Sequence, residues 1–342
     1  MKKTVFKTFR AAFLLLGLFL LYGVVKKIGW TAIEAQVTAL SWHFIPILSM
    51  GFFWYLCYAL AWQDILKQQE NKIPFWSLFQ SKIAGDSANA MTPIHFLGGD
   101  TLRIWLLRRN TTNVTRLAAS VVVDRTINSI AIVLVIFTGV VAGFLTIPGL
   151  PKQVSIGAPI FLLFTSGLIV FFLMRQHKGL FGGILRLAKK LHIAPHTVTK
   201  YEGKAKELDR EVLGLYQKSH RAFWVALAYH LLGRLLGIME VYLIGKAIAP
   251  EQFTLLIALL LATLAPIVNM VFTFIPGALG VLEGAYSGAL YLLGLNPALG
   301  LTIQIIKRMR AGLWMAFGFG IISFRRSHQT SSYNKDPLQR PL

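Results

Sequence analysis

Six apolar runs, at about residues 9–25, 44–62, 117–147, 157–174, 221–249 and 300–324, come close to or exceed the ~20 residues a helix needs to cross a bilayer. That length in this number leaves little room for a soluble core. Hydrophobic residues make up 55 % of the chain, charged residues 14 %, and mean hydropathy is +0.59. The chain therefore reads as an all-α polytopic membrane protein with about six full spans. Met1-Lys2-Lys3 and the run behind it resemble a signal peptide, but no small-residue cleavage site follows, so a retained first span is expected. The single cysteine, Cys57, lies within the second run, where it packs and cannot form an intramolecular disulfide.

Two further segments, 75–107 and 255–293, are apolar but interrupted. The first contains Pro93, Gly98 and Gly99; the second contains Pro266, Pro276, Gly277 and Gly280. Broken helix at membrane depth is tolerated where it is buried in protein or lines a wet cavity. Both segments are read as re-entrant helical hairpins.

Charge sets the orientation. With the N-terminus inside, 26 of the 35 lysines and arginines fall on the cytoplasmic side, counting Lys82 and Arg103 among them. Lys26, Lys27, Lys152 and Lys246 fall outside, and the remaining five lie within the membrane. The positive-inside bias predicts both termini in the cytoplasm. The net charge of +21 then belongs to membrane-surface anchoring, and no nucleic-acid motif accompanies it.

A short polar pattern occurs twice, 183 residues apart. Pro93 precedes Asp100 by seven residues and Asp124-Arg125 follows 24 and 25 residues on; Pro276, Glu283 and Lys307-Arg308 repeat those spacings. Residues 38–137 and 221–320 each hold a span, a hairpin and a span, and one extra crossing at 157–174 separates them. The second half thus enters from the opposite face, which predicts an inverted internal repeat. Residues 1–325 form a single membrane domain. The connector at 175–220 reads as cytoplasmic and amphipathic, with Leu180, Phe181, Ile184, Leu187 and Leu191 at helical spacing and Arg186, Lys189 and Lys190 between them. The tail at 326–342 is polar and expected to be disordered.

Charges in lipid cost ~2.5–3.5 kcal/mol each, so their placement carries meaning. Asp100 can cap the helix it begins, or share a cavity with Arg103 one turn on. Glu283 sits in the first turn of a helix, within reach of Lys307 or Arg308. Asp124 and Arg125 are consecutive and cannot pair with each other, so each needs its own partner. Arg234 and Glu240 are expected to form a further pair. Six cations (Arg103, Arg125, Arg234, Lys307, Arg308, Arg310) face four acids (Asp100, Asp124, Glu240, Glu283), with Asp86 at the rim. A dry site does not keep surplus cations unpaired, so an anionic ligand is one solution and ion-pair stapling of the halves is the other.

The stretches Gly98-Gly99-Asp100-Thr101-Leu102-Arg103, Ser120 to Arg125 and Pro276 to Gly284 together resemble a bacterial and archaeal flippase-like family, which shares the transmembrane region of lysylphosphatidylglycerol synthases. Lys307-Arg308-Met309-Arg310 is similar to its hopanoid-associated branch. The resemblance covers about residues 5–325 and implies an inner-membrane protein that moves, or helps move, lipids between leaflets. The synthases carry an additional soluble aminoacyl-transferase domain for which 342 residues leave no room, so no enzyme activity is expected.

Other chemistry has little support. The eight histidines are scattered, and His192 and His196 lack a third ligand, so no metal is expected. No phosphate-binding glycine loop occurs, and no cofactor is implied. The leading reading is a translocase for an anionic or isoprenoid-type lipid, with Asp100, Arg103, Asp124, Arg125, Glu283, Lys307, Arg308 and Arg310 at the lipid headgroup. Membrane lipids are its partners, together with a second copy of the chain or lipid-biosynthesis proteins. The alternative is a membrane enzyme or accessory subunit acting on a lipid-linked substrate.

Overall fold

The computed structural model describes residues 40–67, 73–91, 97–111, 113–147, 149, 152–191, 195–272, 278 and 280–335, and among these the regular structure is entirely helical. The run at 9–25, Pro93, Pro276 and Gly277 lie outside the described residues. In chain order the helices are α1 (Phe44–Lys67), α2 (Phe75–Met91), α3 (Leu97–Leu107), α4 (Val114–Thr146), α5 (Lys152–His177), α6 (Leu180–Lys190), α7 (Pro195–Lys218), α8 (His220–Ile248), α9 (Leu255–Val271), α10 (Val281–Leu292) and α11 (Ala298–Lys335). Four of them, α1, α4, α5 and α8, are long and apolar enough to cross a membrane. The expected sixth span at 300–324 lies on α11, whose apolar stretch carries Lys307, Arg308 and Arg310. α11 also continues to Lys335, so part of the tail expected to be disordered is helical.

Local sequence sets several helix starts. Asn113, Ser219 and Thr254 sit just before α4, α8 and α9, and each side-chain oxygen accepts a backbone N–H from three residues on. The two interrupted segments have nearly equal dimensions. α2 and α3 have 17 and 11 residues; α9 and α10 have 17 and 12. Pro266 does not break its segment, since α9 runs through it. Gly98 and Gly99 likewise lie inside α3 rather than ahead of it.

α1 and α8 form the central pair. Tyr58 of α1 lies against Gly233 of α8, where any Cβ would collide with the ring. Around this pair the chain crosses over. α4 packs on α9, and α11 packs on α2. Each crossing is made close by a glycine facing a hydroxyl residue: Gly139 against Thr263, and Gly318 against Ser87. Small residues at a helix crossing let the backbones approach, which supplies van der Waals contact where lipid offers no hydrophobic drive. One apolar core joins α8 to α11 through Val241, Leu261, Tyr286 and Ile306; another joins α1, α2, α3 and α11 through Tyr55, Ile83 and Leu106.

The connector is two helices. On α6 and at its C-cap, Ile184, Leu187 and Leu191 are exposed. Asp209 of α7 accepts the N–H groups of Phe181 (2.9 Å) and Gly182 (2.8 Å), so a neighbouring helix caps α6. α7 buries Val212 and Leu215 against Ile65, Val123 and Leu227. Arg116 holds Glu211 at 3.0 Å, and the Tyr216 hydroxyl donates to Gln176, whose amide donates to Thr126. The second connector helix is thereby fastened to α4 and α5.

Candidate functional site

The two hairpins each present an acid to the helix that follows. In the first, Gly99 lies so near Gly85 that a Cβ would strike its carbonyl, and the Gly99 N–H donates to Asn89 at 2.8 Å. This close join of α2 and α3 puts Asp100 in the first turn of α3, not at its cap. Asp100 accepts two hydrogen bonds from Arg125 of α4, at 2.8 Å through Nε and 2.8 Å through Nη2. Arg103 donates to the same carboxylate at 2.9 Å and to Asp86 at 2.5 Å. Gly85 leaves the space that the Arg103 guanidinium occupies.

In the second hairpin Gly280, with φ 84°, turns the chain into α10, and its N–H donates to Glu283 at 2.7 Å. A side chain is rarely tolerated at that φ. The other oxygen of Glu283 accepts Arg308 Nε of α11 at 2.7 Å. Arg125–Asp100 and Arg308–Glu283 are therefore the same bridge built twice, each spanning 25 residues and each joining a hairpin to its next helix.

The residues preceding the two arginines diverge. Asp124 is 2 % exposed and accepts Lys82 of α2 at 2.5 Å and the His230 ring of α8 at 3.1 Å. Lys82, counted from the sequence among the cytoplasmic loop lysines, is itself 3 % exposed and lies over the Trp62 ring, inside the helix bundle. A buried carboxylate with a cation on one side has its charge balanced within the protein. Among the described residues Lys307, the counterpart of Asp124, meets no acid. It reaches Tyr286, with Nζ 3.4 Å from the hydroxyl and 5.5 Å from the ring centre.

Glu240 also differs from expectation. It binds Arg310 at 2.7 Å, not Arg234, and Arg310 stacks 4.2 Å from the centre of the Trp54 ring. Six residues on α8 separate Arg234 from Glu240, which puts them almost two turns apart. Arg234 instead donates to Asn128 at 2.8 Å and lies over Tyr58.

The eight residues singled out from the sequence thus fall into groups rather than one cluster. Asp100, Arg103 and Arg125 come together with Asp86; Glu283 and Arg308 pair with each other beside Lys307; Asp124 and Arg310 each take other partners. Sequence reasoning missed Lys82, His230 and Tyr286. Lys82 and Asp86 stand one turn apart on α2, as do His230 and Arg234 on α8, and that spacing was the available signal. Adding Lys82 and Asp86 to the six cations and four acids counted from the sequence gives seven cations and five acids, so within this set the surplus of two remains. Among the described residues Arg234 and Lys307 carry it, since the partners described for them are neutral. Among the described residues no three His, Cys, Asp or Glu side chains gather as a metal site requires.

The family described as the lysylphosphatidylglycerol synthase TM region matches residues 9–320, which include both hairpins and both bridges. The chain belongs to that family. Within the lysylphosphatidylglycerol synthase TM region, it is 21 % identical over 300 residues to a UPF0104 membrane protein of Pyrococcus horikoshii, covering 84 % of this chain and 89 % of the relative. No solved structure matches it. The membrane-protein class read from the apolar runs agrees with this membership.

Proposed function

We propose that this protein is a lipid translocase of the inner membrane, built as an inverted repeat whose two hairpins hold matched ion pairs near mid-bilayer. Both termini lie in the cytoplasm, the partners are membrane lipids, and the protein has no catalytic chemistry of its own.

The single observation that carries the reading is the doubled bridge, Arg125–Asp100 and Arg308–Glu283. The packing supports a two-fold relation between the halves. Exchanging α1, α2, α3 and α4 for α8, α9, α10 and α11 turns each packed pair into another packed pair: α1·α2 becomes α8·α9, α3·α4 becomes α10·α11, and α4·α9 becomes α11·α2. The glycine–hydroxyl contacts at Gly139 and Gly318 follow the same exchange. Arg125 lies 11 residues into α4 and Arg308 lies 10 into α11, about 15 Å along each helix and so about half of a ~30 Å hydrocarbon core. Paired charges at that depth mark a polar pathway rather than a packing device. A headgroup competing for either arginine loosens one hairpin from its helix, and the repeat provides that event on both faces.

Scrambling of fluorescent lipids in proteoliposomes tests this. The wild-type protein is expected to accelerate it, and a folded Arg125→Ala, Arg308→Ala double variant is expected to lose the acceleration. Wild-type rates in that variant, or no acceleration by the native protein, refute the proposal.

A further inference from the structure

Three titratable side chains from three helices meet apart from the two hairpin bridges. Asp124 of α4 accepts Lys82 of α2 through Oδ2 at 2.5 Å and His230 of α8 through Oδ1 at 3.1 Å. All three are at most 3 % exposed. Asp124 and His230 each stand ten residues past the first residue of a helix long enough to cross a membrane. That is about 15 Å along each helix and so near mid-bilayer. Lys82 and Asp124 belong to the first half and His230 to the second, so the triad lies where the halves meet. The repeat does not reproduce it. Displaced by 183 positions, Lys82 and Asp124 fall on Ala265 and Lys307, and His230 falls on Ile47.

A static ion pair needs only the lysine and the carboxylate, whose charges already cancel. The imidazole adds the one kind of side chain whose charge ordinarily changes between about pH 5 and 8. Chains of His and carboxylate at membrane depth serve pumps and transporters as proton relays. Asp124 is an acceptor, so His230 bonds it through Nε2–H, and the uncharged ring then carries a lone pair on Nδ1. Nδ1 is buried and, among the described residues, has no hydrogen-bond partner. A proton taken from water by that lone pair forms one N–H bond, keeps the Nε2–H bond to Asp124 and raises the local charge by one. The groups facing the ring are Asp124 from α4, Lys82 from α2, the Tyr58 ring of α1 at 5.2 Å, and Arg234 one turn on along α8. Two of these are cations and the carboxylate is already shared, so the added charge is held while water or a cargo anion reaches the site. Proton uptake and opening of the site are therefore linked, each favouring the other.

We propose that Lys82, Asp124 and His230 form a proton-binding site, with His230 Nδ1 as the acceptor, and that movement of cargo between leaflets is coupled to proton uptake there from one face and release to the other. Coupling rests on the translocase reading, whereas proton binding does not.

Two measurements on the full-length protein test it. In detergent, nitrogen NMR of histidine-labelled protein follows the His230 ring, identified by the signal lost in His230→Gln, a variant that keeps a donor to Asp124 but cannot titrate. The ring is expected to hold its proton on Nε2 at about pH 8 and to gain a second on Nδ1 by about pH 5. A ring that stays uncharged, or stays charged, across that range overturns the proton site. In proteoliposomes carrying fluorescent phosphatidylglycerol as the probe, a gradient of about one pH unit coupled to one proton can sustain a leaflet ratio of up to about tenfold. The wild-type protein is expected to build that asymmetry and to lose it with a protonophore, and this arm needs no variant. His230→Gln is expected to lose it as well. Equal leaflets under the gradient, where the probe does exchange, overturn the coupling and leave translocation standing. Unchanged asymmetry in folded His230→Gln overturns the assignment to this triad. No exchange at any pH refutes translocation and the coupling with it, while the ring titration still decides the proton site.

Discussion

Asp124 and Arg125 are consecutive, yet the helix turns them about 100° apart and each ends in a different ion pair. Arg125 faces the α3 hairpin, while Asp124 faces Lys82 and His230. The second pair is the more deeply buried, with Lys82, Asp124 and His230 all at 3 % exposure or less. Removing one charge from such a pair strands the other in a low dielectric. Asp124→Asn is expected to cost about 3–5 kcal/mol, and Lys82→Met combined with Asp124→Leu much less. Thermal unfolding in detergent would check the order; equal losses in both variants would show that the charges are hydrated after all.

Among the elements, the glycines that permit helix crossings can be separated from those that merely face lipid. A Cβ at Gly139 would collide with Thr263, and one at Gly318 with Ser87, whereas Gly157 on α5 meets nothing within 4 Å. Gly139→Leu and Gly318→Leu should each destabilise by about 1–3 kcal/mol through overpacking. Gly157→Leu should change stability by less than about 0.5 kcal/mol. Comparing melting temperatures of the three variants distinguishes crossing from lipid-facing sites.

The connector offers a pH test of its own. Burial of Tyr216 on α7 pushes its phenol up to about 12 from the ordinary 10.0. Because the folded form holds the proton more tightly, the contribution of Tyr216 to stability is complete below pH 10.0 and is lost as pH rises toward about 12. Proteolysis at the 191–195 junction should increase over that interval in the wild type. Tyr216→Phe should remove the added pH dependence while showing greater cleavage at neutral pH, since its bond to Gln176 is gone.

For the whole molecule, the proposed inversion makes the two hairpin bridges gates toward opposite faces. Asp100→Asn weakens the joint of the first half, and Glu283→Gln weakens its counterpart in the second. If the halves are inverted, the first variant should open toward one leaflet and the second toward the other. Cysteines introduced beside each hairpin and labelled with an impermeant reagent read this directly. Opening toward the same face in both variants would contradict the inversion.

Much of this was legible in the linear chain, because hydropathy and spacing act locally. Apolar runs demand helices whatever their neighbours are, and a hairpin acid followed 25 residues later by an arginine is a bridge that one half can make by itself. Glu283 and Arg308 needed no knowledge of the other half. Partners that cross between elements distant in sequence were decided only by tertiary packing. Lys82 looked like one more cytoplasmic lysine until α2 folded inward beside α4; His230 looked incidental until α8 packed beside Asp124; Glu240 chose Arg310 because α11 returns past α8. The sequence by itself determined which residues could not remain in lipid alone, since desolvation of a charge depends on the charge. Which of them meet across elements distant in sequence was determined by helix packing, since those pairings depend on distances that spacing along the chain does not specify.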